Sequence, residues 1–239
     1  FLTTFAGLST MLGTILIFIS KKKNSILIKA LAFASGVMLC VSLTDLIPES
    51  LSLLQQHFYF FPSIIISGIA LSIGVLLSIF LDKKLPNLEN NQLYKVGIIS
   101  MLAIIMHNIP EGIATFLTTT ENTQLGLSLA IAITLHNIPE GISISIPIYY
   151  ATKNKKKALF YTFLSGISEP FGALLAYLFL GNLANDLFMG FLYAMIAGIM
   201  IQISIYELIP TSLAYKKKKQ TFLFIIIGLL FMYISHILF

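Results

Sequence analysis

The chain has 239 residues, of which 57% are hydrophobic and only 10% are charged, and its mean hydropathy is +0.90. A soluble domain carries about a quarter charged residues, so this composition excludes an ordinary soluble protein. Apolar runs of about 20 residues recur along the whole length, which is typical of a protein with many membrane-spanning helices. A membrane β-barrel would instead show alternating segments of about ten residues, and the sequence contains none of them.

The hydropathy pattern predicts an all-α polytopic membrane protein, with one transmembrane transporter domain over residues 1–239. Seven short connectors separate the helices, and the longest polar stretch, 82–95, is too short for a separate soluble domain. The single cysteine, Cys40, lies in an apolar run, so no intramolecular disulfide is expected. The eight predicted helices span approximately 1–20, 30–55, 61–81, 95–119, 124–151, 158–180, 187–215 and 220–239.

The basic residues are all lysines, and each lies in or beside the first, third, fifth or seventh connector. The second, fourth and sixth connectors contain none. Positive charge concentrates on the cytoplasmic side of a membrane, so we expect these connectors to be cytoplasmic and both termini to face outward. The net charge of +5 then reflects how the protein is oriented in the lipid bilayer of the cytoplasmic membrane. No nucleic-acid partner is expected.

A seven-residue motif, His-Asn-Ile-Pro-Glu-Gly-Ile, occupies residues 107–113 and is repeated without change at 136–142. Each copy lies near the middle of a predicted helix, where a histidine and a glutamate are costly to bury, so a packing role is a poor explanation. Within each copy His and Glu are four residues apart and Asn and Glu are three apart, which places all three on one helical face.

Antiparallel packing of helices 4 and 5 through these faces would bring His107 close to Glu140 and His136 close to Glu111. The result is a compact cluster of two imidazoles, two carboxylates and two amides. Such ligands suit Zn²⁺, Fe²⁺, Mn²⁺ or Co²⁺ more than Ca²⁺ or Mg²⁺. The sequence therefore predicts that transition-metal ions cross the membrane through this cluster.

The prolines of the motif, Pro110 and Pro139, are expected to kink their helices. Proline has no N–H, so it leaves the carbonyls of Met106 and Leu135 without their usual partners. Such gaps are tolerated in membrane helices where they line a polar cavity. The alternative is an ordinary proline kink beside a glycine packing notch.

Further acids lie at membrane depth: Asp45 and Glu49 in helix 2, Glu169 in helix 6 and Glu207 in helix 7. With the two motif glutamates they make six, and no lysine is expected beside them. Unpaired carboxylates in hydrocarbon are protonated or bind cations, so these residues favour a cation pathway over structural ion pairs.

Two histidines and a methionine are weaker candidates. His57 lies in a connector and His236 lies near the end of helix 8, and both are assigned solvated or packing roles. Met38 precedes Asp45 by two helical turns, and its role is either packing or a thioether ligand for soft metals.

A second repeat links residues 42–51 with residues 204–213, which share an acid, Leu-Ile-Pro, one residue and then Ser-Leu. Helices 2 and 7 cross the membrane in opposite directions. The repetition predicts an inverted repeat, helices 1–3 against helices 6–8, around the central helix 4 and 5 pair, an arrangement common in transporters.

At these residues the chain resembles the ZIP family of divalent-metal transporters, and most closely its bacterial branch with His-Asn-x-Pro-Glu-Gly in both central helices. The resemblance covers the whole chain. It implies uptake of Zn²⁺, and also of Fe²⁺, Mn²⁺, Co²⁺ or Cd²⁺, into the cytoplasm as transported substrates, with no prosthetic group and with homodimers. The resemblance also implies a binuclear metal site, formed by His107, Asn108, Glu111, His136, Asn137, Glu140 and Glu169, with Met38 as a further ligand.

One feature departs from the family pattern. Many members carry a histidine-rich loop between helices 3 and 4, whereas residues 82–95 contain no histidine. Metal sensing by this loop is therefore not expected.

Two other functions are alternatives to the transport of metal ions. An intramembrane metal-dependent hydrolase would need His-Glu-x-x-His, with a glutamate base between two ligands, whereas each motif here reads His-Asn-x-x-Glu. A proton-coupled carrier of an organic solute would be insensitive to chelators. The residues themselves leave open whether the protein is a carrier or a channel.

Overall fold

The computed structural model describes residues 1–19, 23–84, 91–179 and 185–238, and within them eight helices are long and apolar enough to cross a membrane. These confirm the predicted all-helical membrane architecture. Lysines 21 and 22 and most of the sixth connector, at 181–184, lie outside the described residues. The helices are α1 Leu2–Ile19, α2 Ser25–Gln55, α3 Phe60–Lys84, α4 Gln92–Glu121, α5 Thr123–Thr152, α6 Lys155–Phe179, α7 Asp186–Leu213 and α8 Lys218–Leu238.

Four of these helices begin at an asparagine whose side chain accepts a hydrogen bond from a backbone N–H of the first turn. Such caps satisfy donors that have no partner within the helix. Asn122 also ends α4, so a single extended residue joins α4 to α5 and makes them an antiparallel hairpin. The capping residues are Asn91, Asn122, Asn154 and Asn185.

The second repeat identified in the sequence has the same local structure in both copies. A π-helical turn occupies Ser42–Leu46 in α2 and Ser204–Leu208 in α7, and each is followed by an α-helical segment that starts with Ile-Pro. Because proline cannot bond the carbonyl four residues earlier, a wider turn before it is a natural accommodation. The matching turns support the inverted repeat, which remains a prediction.

The sixth predicted helix is confirmed as the span α6. It is interrupted at Ile167, between Lys155–Gly166 and Ser168–Phe179. Pro170 has no N–H to bond the carbonyl of Gly166, so the interruption falls one turn before it. In contrast, α4 and α5 run as α-helices through Pro110 and Pro139.

The closest backbone contacts divide the eight helices into two groups. Glycines let helices approach until one backbone touches another. In the first group, α1, α4, α5 and α6, Gly7 contacts Gly166 and Gly112 contacts the Glu169 carbonyl. In the second group, α2, α3, α7 and α8, Gly36 contacts Ile225. Other contacts within a single group join Gly141 to Thr10, Gly74 to Met195 and Gly198 to Leu71.

Buried apolar side chains of both groups belong to the same hydrophobic core. In the half of the protein that carries the lysine-rich connectors, α2, α4, α5 and α7 all contribute fully buried side chains. They belong to one continuous hydrophobic cluster. Examples are Leu27, Leu31, Ile99, Ile144, Ile148 and Ile203.

Candidate metal centre

The single-residue turn at Asn122 sets the depth of the two motifs. His107 lies 15 residues before it (122 − 107) and His136 lies 14 residues after it (136 − 122). At about 1.5 Å of rise per residue the two imidazoles are therefore level. Glu111 lies one turn nearer the Asn122 end, and Glu140 one turn nearer the lysine-bearing end.

The two motifs contact each other as the helical spacing predicted. His136 Nε2 lies 2.9 Å from Glu111 Oε1, and His107 Nε2 lies 3.5 Å from Glu140 Oε1. His107 also contacts the glutamate of its own helix, with Nε2 3.1 Å from Glu111 Oε1. One ligand atom from each of His107, Glu111 and His136 can be chosen so that all three lie within 4.8 Å of one another.

The two motif asparagines and Glu169 extend the cluster toward α1 and α6. Asn137 Nδ2 donates to Glu169 Oε2 at 2.8 Å and to the Ala6 carbonyl at 2.9 Å. Asn108 Nδ2 donates to the Ser165 carbonyl at 3.2 Å, just before the break in α6. Each asparagine thus uses its Nδ2 as a donor, and its Oδ1 remains available as an acceptor.

Buried atoms without a hydrogen-bond partner are concentrated in this cluster. A buried polar atom without a partner is costly, and a cation would satisfy several of these acceptors at once. The residues present therefore fit a bound divalent cation. Within the described residues the unpartnered atoms of the cluster are Nδ1 of His107, Oδ1 of Asn108, Oε2 of Glu111, Nδ1 of His136, Oδ1 of Asn137, both carboxylate oxygens of Glu140 and Oε1 of Glu169.

A cavity of about 820 Å³ leads to the cluster from the end of the protein opposite the lysine-rich connectors. Its inner wall includes Glu111 and His136, and its outer wall includes Thr118 of α4 and Leu125 of α5. Asp45 and Glu49 of α2 also line it, and their place in a transport pathway stays a prediction. Among the described residues of its wall there is no lysine.

Two residues proposed from the sequence are not part of the cavity wall. Met38 is fully buried in the hydrophobic cluster and is not part of the cavity wall. Glu207 is near Asp82 and Lys95 at the lysine-bearing end, where Lys95 Nζ lies 2.7 Å from Asp82 Oδ1. The expectation that no lysine accompanies the six acids is therefore wrong for Glu207.

His236 is the residue that sequence reasoning missed. It lines the cavity, and its Nδ1 lies 3.0 Å from Asp45 Oδ1. The sequence contains one indication of this position. His236 lies at the lysine-free end of α8, and Asp45 and Glu49 lie at the lysine-free end of α2. His57 pairs with Asp186, with Nε2 3.5 Å from Oδ2, and is not part of the cavity wall.

The fold and this cluster define a helical integral membrane protein with a buried imidazole and carboxylate centre. A family model described as ZIP Zinc transporter matches residues 87–236, and the chain belongs to this family. It is 39% identical to the zinc transporter ZupT of Oceanobacillus iheyensis, over 99% of this chain and 96% of the relative. The ZupT proteins of Streptococcus mutans and Chlorobaculum parvum are 37% and 40% identical, each over all of this chain and 96% of the relative.

Proposed function

We propose that the protein carries Zn²⁺ across the cytoplasmic membrane through the His107, Glu111, His136 and Glu140 cluster. The observation that carries this proposal is the cavity that ends at two metal-ligating side chains, beside further buried acceptors without partners. Membership of the ZIP family and the names of the ZupT relatives support Zn²⁺ as the substrate. The comparisons give no support to the hydrolase alternative. Transport of Fe²⁺, Mn²⁺, Co²⁺ and Cd²⁺, and a homodimer, remain predictions.

A second ion would lie between Asn108, Asn137 and Glu169, with the central carboxylates shared between the two ions. The hydrogen bond from Asn137 to Glu169 supports this, because it holds both groups on the same side of the cluster. The free Oε1 of Glu169 and Oδ1 of Asn137 supply oxygen ligands. Met38 is retained only as a candidate ligand.

The distribution of the lysines supports transport from the outside into the cytoplasm. With the lysine-rich connectors in the cytoplasm, the cavity faces outward and the apolar filling of the opposite half closes the path to the cytoplasm. Zn²⁺ would enter from outside and bind at the cluster. It would leave after the α1/α4/α5/α6 group moves against the α2/α3/α7/α8 group. The glycine contacts within each group support such a motion.

The test is Zn²⁺ entry into proteoliposomes, read by a trapped fluorescent chelator, for wild type beside Glu140→Ala. We expect flux in the wild type and none in the variant, since Glu140 is fully buried and supplies two of the unpartnered oxygens. Asp186→Ala, which removes a half-exposed acid outside the cavity wall, is the matched control and should keep its flux. Equal flux in wild type and Glu140→Ala would remove the cluster from the pathway.

A further inference from the structure

A second set of metal-ligating side chains lies in the cavity, nearer its outer end than the central cluster. His236 of α8 and Asp45 of α2 are in contact there, with Nδ1 of the imidazole 3.0 Å from Oδ1 of the carboxylate. Their side chains are 54% and 26% exposed, so both are accessible from the cavity. Glu49 lines the same wall one helical turn beyond Asp45.

The local structure of α2 orients these groups. Asp45 lies in the π-helical turn Ser42–Leu46, and π-helical turns are frequent at functional sites. Thr44 Oγ1 lies 2.7 Å from Asp45 Oδ1 and 2.9 Å from the Cys40 carbonyl oxygen, within hydrogen-bond distance of both. The carboxylate contacts the imidazole while it remains open to the cavity.

We infer that Asp45, Glu49 and His236 form an outer site, which binds a divalent transition-metal ion before it reaches the central cluster. Imidazole and carboxylate are the ligands that Zn²⁺ and its neighbours prefer. Two ligand atoms on one tetrahedral Zn²⁺, each about 2.0–2.1 Å from the metal, are separated by about 3.3 Å, close to the observed contact. The role as a loading site rests on the proposed transport function.

The cavity connects this set to the central cluster. Glu111 and His136 form its inner wall, and each has a buried atom without a partner among the described residues, Oε2 and Nδ1 respectively. An ion held at Asp45 and His236 would therefore have exchanged part of its water shell for protein ligands before it enters the buried cluster.

A purely structural ion pair explains these residues less well. A pair as exposed as His236 and Asp45 contributes little to stability. The two helices are also already joined by backbone contacts, since Gly36 lies against Ile225 and Gly228 lies against Phe33. The ion pair is thus not needed to hold α8 on α2.

The binding test uses the purified full chain with the central cluster disabled by Glu140→Ala and His136→Ala. Zn²⁺ bound at equilibrium is measured by dialysis and elemental analysis. We expect this protein to retain one bound ion, and His236→Ala in the same background to lose it. His57→Ala is the matched control, because it removes an exposed histidine paired with an aspartate outside the cavity wall. Unchanged binding after His236→Ala overturns the proposal.

A transport test separates the outer site from the central one. In an otherwise wild-type protein, His236→Ala should raise KM for Zn²⁺ by about tenfold, the lower end of the loss expected when a group that supports a metal site is removed. Its kcat should change little, because the lost interaction precedes the translocation step. An unchanged KM would contradict the loading role.

The two proposals fail in different ways. If the wild type shows no flux but His236→Ala still removes a bound ion, transport is wrong and the outer site is retained. If flux depends on Glu140 while His236→Ala alters neither binding nor KM, transport is retained and the outer site is wrong.

Discussion

Glu111 of α4 reaches across the helical hairpin to His136 of α5, with Oε1 2.9 Å from Nε2. The same oxygen lies 3.1 Å from Nε2 of His107, so one carboxylate oxygen serves both imidazoles. Glu111 Oε2 is buried and has no hydrogen-bond partner among the described residues. Glu111 therefore joins the two motifs. We expect its negative charge to contribute more to Zn²⁺ binding than its shape does.

The charge of Glu111 can be removed with little change in volume by Glu111→Gln. We expect Zn²⁺ affinity at the central cluster to fall by about a hundredfold, because the variant replaces an anionic ligand with a neutral amide. Zn²⁺ dissociation constants of the purified protein would measure this. Asp186→Asn, a charge removal outside the cavity wall, should leave the affinity unchanged. A fall of less than threefold in Glu111→Gln would contradict the central role of Glu111.

The contact between Gly112 and the carbonyl of Glu169 predicts a packing effect. A Cβ at Gly112 would collide with this backbone carbonyl of α6, so Gly112→Ala must push α6 away from α4. We expect a loss of about 1–3 kcal/mol in stability, seen as a lower thermal unfolding midpoint, together with reduced Zn²⁺ flux.

Gly68 provides the control for this substitution. A Cβ at Gly68 of α3 would meet nothing within 4 Å. Gly68→Ala should therefore keep the unfolding midpoint or raise it slightly, since alanine favours the helix over glycine. Equal midpoints for the two variants would show that the backbone contact at Gly112 does not restrict packing.

The prediction from sequence succeeded where the signal was local or repeated. Hydropathy identified eight helices, and the spacing within each seven-residue motif placed His and Glu on one face. It could not place His236 beside Asp45, because 191 residues separate them (236 − 45) and no shared motif links them. The position of Glu207 near Lys95 likewise depends on tertiary contacts, which a linear pattern does not contain.

Glu169→Gln tests whether a second ion binds beside the first. A glutamine oxygen can still accept the hydrogen bond from Asn137 Nδ2, so the variant preserves the orientation of the amide while it removes the charge. We expect the number of Zn²⁺ ions bound to the central cluster to fall from two to one, with His236→Ala included in both proteins to remove the outer site. Two ions in Glu169→Gln would exclude Glu169 as a required ligand.

Protons should compete with Zn²⁺ for the central ligands. Metal binds neutral imidazole and ionised carboxylate, and an ordinary imidazole takes up a proton below about pH 6.5. Affinity should therefore fall as the pH is lowered from 8 to 5, because protons compete with the metal for these ligands. The slope should be smaller in His136→Ala, which retains one central imidazole. An affinity that stays constant from pH 8 to 5 would contradict the predicted ligand set.

The ion pair between Lys95 of α4 and Asp82 of α3 joins the two helix groups at the lysine-bearing end. If the groups move against each other, this pair must break when the cavity opens toward the cytoplasm. An exposed pair contributes about 0.2–1 kcal/mol. Lys95 and Asp82 are only 20% and 27% exposed, so we expect the upper end of this range. Lys95→Gln should then raise the population of the cytoplasm-open state by about fivefold.

The cytoplasm-open state can be detected through a cysteine placed at Ser100. Ser100 is fully buried on α4, seven residues before His107 and so on the same helical face, and its hydroxyl has no partner among the described residues. In a Cys40→Ser background, Ser100→Cys should react about fivefold faster with a thiol reagent supplied from the cytoplasmic side when Lys95→Gln is added. His57→Gln breaks an ion pair within the second group only and should leave the rate unchanged. Equal labelling rates of Ser100→Cys with and without Lys95→Gln would show that the Lys95 and Asp82 ion pair does not restrain the movement of the two helix groups.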